Sequence, residues 1–190
     1  PATIPTFYYE FQLAYVGRDF QKMQDLLEST AGDPLDRYAA QARLQRLKGN
    51  MGRQRESANL ARSAAEAWLE RLIGRGAPPV DIERARSEIA VALALAGNES
   101  EAIRTIELAI QRAAADPDRP NAVFVYQNEI LTYTFLGYAD VAIERLRALL
   151  SWATPATLTP YRLQMDPDFD TLRDQPEFQS LLEELAVGAN

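Results

Sequence analysis

The sequence predicts an all-α fold, a solenoid of about four helical pairs closed by C-terminal capping helices. Three observations carry this. Two segments end one helix and begin the next in the same way: Ser87-Glu88-Ile89-Ala90-Val91-Ala92-Leu93-Ala94-Leu95-Ala96-Gly97 leads into Asn98-Glu99-Ser100-Glu101-Ala102-Ile103, and Gln127-Asn128-Glu129-Ile130-Leu131-Thr132-Tyr133-Thr134-Phe135-Leu136-Gly137 leads into Tyr138-Ala139-Asp140-Val141-Ala142-Ile143. The landmarks recur at a pitch suited to helical pairs: 40 residues from Gly97 to Gly137, 32 from Gly17 to Gly49, and 48 from Gly49 to Gly97. Alternating β-branched runs are almost absent, whereas helical periodicity covers most of the chain.

Each element follows from local signals. A first helix is expected from after Pro5 to Val16, closed by Gly17. A second carries Phe20, Met23, Leu26 and Leu27 as its stripe and stops before Gly32-Asp33-Pro34, since Pro suits the first turn of the next helix. The third runs from about Leu35 to Lys48, with Tyr38, Ala42 and either Leu44 or Gln45 inward. The fourth, about Arg53 to Ile73, presents Ala58, Ala61, Ala65, Trp68 and Leu72, small residues that let helix axes approach. Gly74-Arg75-Gly76-Ala77-Pro78-Pro79 breaks it; its Gly-x-Gly follows a helix and runs into prolines, which argues against a phosphate loop. The fifth is expected to start at Asp81 as N-cap and to bury Ile82, Ala85, Ile89, Ala92 or Leu93, and Ala96. The sixth starts near Asn98, with Glu101 placed for a capping box, and buries Ala102, Ile106, Ala109 and Ala113. Asp116-Pro117-Asp118-Arg119-Pro120 is a linker. The seventh spans Asn121 to Leu136. The eighth spans Ala139 to Trp152, with Ala142, Leu146, Leu149 and Ala153 inward and Thr154-Pro155 as its stop.

Composition narrows the chemistry. The 190 residues contain no Cys and no His, so no Ser-His-Asp or Cys-His relay and no Cys/His zinc site can be built. No apolar run approaches the ~20 residues that span a bilayer. The start, Pro1-Ala2-Thr3-Ile4-Pro5, does not read as a signal peptide and lacks an initiator Met; the chain is expected to be a piece of a longer protein. A net charge of -7 disfavours nucleic acid. That charge is uneven. Residues 37–62 hold Arg37, Arg43, Arg46, Lys48, Arg53, Arg55 and Arg62 against Glu56 alone, and residues 166–184 hold Asp166, Asp168, Asp170, Asp174, Glu177, Glu183 and Glu184 against Arg173 alone. These are solvated helix faces, or else a basic groove for an acidic peptide, or pairing between the two ends of the arc or of two chains.

The repeat unit resembles the tetratricopeptide repeat. The third unit matches as Ile89, Ala90, Leu93, Gly97, Ala102, Ile106 and Ala109. The fourth matches as Tyr126, Tyr133, Gly137, Ala142 and Leu146, with Pro155 one residue late; it departs at Glu129 and Ile130. The first keeps Gly17 and Pro34 but has Lys22 where Ala is usual. The second keeps Tyr38, Ala42 and Gly49. The tail, from Leu158 to Phe178, resembles the ending of bacterial arrays that lie C-terminal to other modules in signalling proteins. The resemblance implies a right-handed α-α superhelix over residues 1–156 and capping helices over 157–190, with Phe169, Leu172, Phe178, Leu181 and Leu182 covering the last repeat. It also implies a concave groove. Phe7, Tyr8, Phe11 and Tyr15 would face that groove or the core of the first repeat, and Arg43, Arg46, Arg84, Glu88, Gln127, Asn128 and Leu131 would line it. The carboxylate clamp of chaperone-binding relatives needs a Lys/Asn/Arg set that this chain does not show. Arg43 and Arg46 could still grip an acidic motif.

Asp166, Asp168, Asp170, Asp174 and Glu177 match the spacing of a calcium loop, but Thr171 replaces its Gly, Pro167 and Pro176 stiffen it, and Arg173 opposes the charge; no metal and no cofactor are expected. The expected function is a non-catalytic interaction module that binds a protein or peptide, an acidic one among the candidates, as part of a larger signalling protein. The alternative is a homo-oligomeric scaffold, a homodimer for instance, in which the acidic tail docks on the basic segment of residues 37–62. The expected compartment is the cytoplasm, or the periplasm should the parent protein span a membrane.

Overall fold

The computed structural model describes residues 6–29, 32–115, 121–151 and 158–188. The described residues form ten α-helices and one 3₁₀ segment and no strand. The helices are α1 (Thr6–Val16), α2 (Phe20–Glu28), α3 (Pro34–Leu47), α4 (Met51–Gly74), α5 (Pro79–Ala96), α6 (Glu99–Ala113), α7 (Ala122–Leu136), α8 (Ala139–Leu150), α9 (Pro160–Met165) and α10 (Pro176–Gly188); the 3₁₀ segment, Pro167–Leu172, lies between α9 and α10. The expectations for residues 116–120, Trp152, Ala153 and Thr154-Pro155 lie outside the described residues. Among the described residues, no helix is long and apolar enough to cross a membrane.

Four short joints link α1 to α2, α3 to α4, α5 to α6 and α7 to α8, and all share one backbone design. Gly97 and Gly137 take left-handed φ angles of 80° and 85°. The next N–H reaches back five residues, Asn98 to the Leu93 carbonyl and Tyr138 to the Tyr133 carbonyl, each at 2.9 Å. This satisfies carbonyls that a helix end leaves open, and the φ it demands favours glycine. The first joint corrects an expectation. Gly17 does not hold the left-handed place; Arg18 does, with φ 53°, and the Asp19 N–H bonds the Ala14 carbonyl at 2.9 Å. A left-handed non-glycine residue costs about 1–2 kcal/mol, so something must hold Arg18 there.

Helix starts differ from expectation at three places. α4 begins at Met51 rather than near Arg53, with Asn50 as its cap. α5 begins at Pro79, not at Asp81; the fixed φ of proline suits a first turn, and Asp81 sits inside it as a favourable first-turn carboxylate. Asn98 makes no side-chain capping bond, so the expected capping box is not made through it. Asp33 caps α3 as its sequence indicates, accepting from the Leu35 N–H at 2.9 Å.

From α1 to α8 each helix packs on its chain neighbours, and α5 also lies directly against α7. The Ala-rich run of α5 is buried on almost every side, from Ala85 through Ile89–Ala96, because α4, α6 and α7 all cover it. A helix apolar all round needs such enclosure. Ala42, Ala58, Val91, Leu95 and Ala96 join α3, α4 and α5 through small side chains. Leu44 and Gln45 are both buried, whereas Tyr38 and Phe20, read as inward, are exposed.

Two larger clusters occupy the ends. Phe7, Phe11, Tyr15, Met23, Leu26, Leu27, Ala40 and Leu44 bind α1, α2 and α3 together. At the other end Ile130, Leu146 and Leu149 of α7 and α8 pack against Leu163, Phe169, Leu172, Phe178, Leu181 and Leu182 of the tail. All five apolar tail residues expected to cover the last repeat are therefore buried there. Each side chain contributes about 1.5–3 kcal/mol on burial.

The joints give a stability test. Gly97→Ala is expected to lower stability by about 1–2 kcal/mol, because alanine resists positive φ. Gly52→Ala, in the first turn of α4 with nothing near a new Cβ, is expected to raise it by about 0.4–1 kcal/mol. Urea denaturation reads both; loss at position 52 or none at position 97 would contradict the joint geometry.

Candidate functional site

Tyr15 stands three residues before Arg18, and Arg46 three residues before Gly49. They hold equivalent places on α1 and α3, and Arg43 lies three residues earlier on the same side of α3. The three side chains meet one carboxylate. Asp168, near the start of the 3₁₀ segment, accepts from the Tyr15 hydroxyl at 2.7 Å on Oδ1 and from Arg43 Nε at 2.9 Å on Oδ2. Arg46 Nη1 lies 3.7 Å from Oδ1 and donates to the Pro167 carbonyl at 3.3 Å. The Asp168 side chain is 6% exposed, Arg43 14% and Arg46 18%. A buried carboxylate needs this density of donors, since an unmatched one would be expelled or protonated.

The rest of the tail segment is arranged around that contact. Asp166 caps the 3₁₀ segment, accepting from the Asp168 N–H at 3.0 Å and from Arg162 Nε at 3.2 Å. Arg173 bonds the Asp166 carbonyl at 2.7 Å and pairs with Asp170. Asp170 also faces α1: Arg18 Nη2 lies 2.8 Å from each of its oxygens. That pair engages the residue with the strained left-handed backbone. α7 completes the site with Phe135, whose ring centroid lies 4.8 Å from the Arg46 guanidinium carbon and 5.9 Å from that of Arg43. An aromatic face attracts such cations while excluding water.

Electrostatics agree with the geometry. Burial, and then the adjacent Asp168 charge, push the Tyr15 hydroxyl well above its ordinary value, so it stays a donor. Burial alone would lower Arg43, but Asp168 and Tyr15 outweigh it and Arg43 is raised. Burial and then the neighbouring Asp168 raise Asp166, with the Asp168 N–H and Arg162 opposing.

Of the eleven residues read as facing or lining a groove, the nine other than Phe7 and Tyr8 divide into three groups. Tyr15, Arg43 and Arg46 converge on the tail. Arg84 and Glu88 lie further toward the helix starts: Arg84 stacks on Phe124 at 4.2 Å, with Trp68 at 5.9 Å, and donates to Asn121 Oδ1 at 3.3 Å. Phe11, Gln127, Asn128 and Leu131 are taken into packing. Phe11 stacks between Phe7 and Tyr15, Asn128 is buried and donates to Ser87 Oγ at 2.9 Å, Gln127 is buried, and Leu131 packs beside Phe135. Sequence reasoning missed Arg18, Phe135, Asp168 and Asp170 as site residues. The available signal was the opposition of a basic segment to an acidic tail. Those two segments pair here within one chain.

Three of the five carboxylates matching a calcium loop are turned toward arginines: Asp166 to Arg162, Asp168 to Arg43 and Arg46, and Asp170 to Arg18 and Arg173. Among the described residues no group of three or more His, Cys, Asp or Glu is placed to hold a metal. Comparison with family models, curated proteins and solved structures returns no match. The tetratricopeptide likeness therefore rests on the repeat residues alone.

Asp36, at the start of α3, is raised to about 6 by burial and then by Asp33 and Glu88, with Arg84 and Arg43 opposing. Folded Asp36 holds its proton more tightly than an unfolded carboxyl at ~3.9. Its contribution favours the fold below that pH and is lost as pH rises through about 6. Asp36→Asn is thus expected to gain thermal stability relative to wild type as pH rises from ~4 to ~7.5. A difference in Tm that stays constant across this range would show that Asp36 titrates normally.

Proposed function

We propose that this chain is a non-catalytic interaction module, a tetratricopeptide-like right-handed superhelix that reversibly holds an acidic protein segment on the face made by α1, α3 and α7. The observation that carries this reading is the seating of Asp168. Tyr15, Arg43 and Arg46 surround a carboxylate, and Phe135 backs the guanidinium groups. A desolvated arginine pair selects an anion, because a neutral or cationic group would leave the guanidinium charge unmatched. A side-chain carboxylate in a turn fits the donors, as the protein's own tail demonstrates.

The chemistry of the chain supports binding without bond making. It has neither Cys nor His, and the buried carboxylates of the site face arginines rather than a space where a substrate could react. In this reading the module belongs to a larger bacterial signalling protein and presents one recognition face to a partner.

A peptide array probed with the full chain tests the proposal. Spots bearing Asp or Glu within turn-forming, Pro-containing contexts are expected to bind, and Arg43→Glu/Arg46→Glu is expected to reduce them at least tenfold. Selection of basic or purely apolar peptides, or binding unaffected by the arginine changes, would contradict it.

A further inference from the structure

The tail touches the two ends of the molecule by different physics. Its apolar residues, Leu163, Phe169, Leu172, Phe178, Leu181 and Leu182, share a core with α7 and α8. Among the described residues none of them joins the apolar cluster of α1, α2 and α3. The bonds and ion pairs of the tail with α1 and α3 are polar: Tyr15, Arg43 and Arg46 on Pro167 and Asp168, and Arg18 on Asp170. Parting these contacts would leave the tail seated on α7 and α8 and would uncover a basic face on α1 and α3.

We infer that the Asp168–Asp170 edge is an autoinhibitory latch, which occupies the basic face of α1 and α3 and yields to an acidic segment of a partner protein. The inference rests on the reading of that face as an acid-binding surface. Charge decides which ligand can open the latch. Once Asp168 withdraws, Arg43 and Arg46 require a replacement anion, and an incoming Asp or Glu supplies it. A neutral or basic segment does not. The internal carboxylates also enjoy a high effective concentration because they are part of the same chain, so an external segment meets strong competition. Arg18 adds a second, weaker hold. Its pair with Asp170 is partly exposed, with side chains 45% and 32% accessible, so it is readily exchanged with solvent. The two contacts are two residues apart in the tail, which gives the displacing segment a pattern of its own: a buried carboxylate, then a more exposed one two positions later.

The test uses the full chain and a fluorescein-labelled peptide with the sequence of residues 164–172, Gln-Met-Asp-Pro-Asp-Phe-Asp-Thr-Leu. Binding is read by anisotropy for wild type, Asp168→Asn/Asp170→Asn, and the same variant carrying Arg43→Ala/Arg46→Ala. The latch variant is expected to bind at least tenfold more tightly than wild type, and the added alanines are expected to abolish the gain. Should the double variant fail to fold by circular dichroism, Asp170→Asn alone is expected to give a smaller gain in the same direction. Equal binding by wild type and a folded latch variant would overturn the latch while leaving the acid-binding reading intact. No binding by either folded protein would overturn both.

Discussion

A carboxylate removed from water between a tyrosine and two arginines is the contact on which the meeting of the tail with the N-terminal helices depends. Asp168 is nearly inaccessible, and its two oxygens point at donors from α1 and α3, 153 and 125 residues away in the chain. Buried ion pairs add little net stability, because loss of hydration offsets much of the attraction. Their geometry is nonetheless demanding, since displacement of either partner leaves a charge unmatched. Apolar packing of Phe169, Leu172 and Phe178 supplies adhesion at the C-terminal end, while Asp168 fixes how the N-terminal helices meet that end.

The joints make this meeting feasible. Tyr15 and Arg46 stand at the same distance before the left-handed residue of their joints, so the repeated turn delivers side chains from α1 and α3 to a common side. α5, buried on nearly all sides, holds α4, α6 and α7 in place between the two ends. The one joint that lacks a glycine at the left-handed place has Arg18 instead, and Arg18 is the residue that reaches Asp170. Backbone strain and a tail contact thus coincide at one residue, which suits a site where local cost is tied to function.

Much of the helical order was legible because its signals are local. Gly97 and Gly137 mark left-handed turns that few other residues tolerate, and Pro34 with Asp33 marks a helix start. The tail's aromatic and leucine residues were legible as a cover through the resemblance of that segment to the endings of other repeat arrays. The first joint was misread by one residue, since nothing in a sequence marks an arginine that will accept positive φ. Asp81 was misread as a cap because Pro79 could begin the helix earlier. At the site, Tyr15, Arg43 and Arg46 followed from their helical positions and the family likeness. Their partner did not: pairing across more than a hundred residues depends on how the helices stack, and the charge imbalance between residues 37–62 and 166–184 gave the sign of the interaction without the atoms. Phe11 and Asn128 show the reverse case, where a helical position compatible with a groove is taken by packing.

The central claim is that Asp168 couples the tail to the N-terminal helices, and a double-mutant cycle between Arg43→Met and Asp168→Asn measures that coupling directly. Stabilities of wild type, both single variants and the double variant come from urea denaturation with matched m-values. A coupling of about 1.5 kcal/mol or more is expected for a buried charge pair. Additive effects, within ~0.3 kcal/mol, would mean that Arg43 and Asp168 do not hold one another, and would contradict the account.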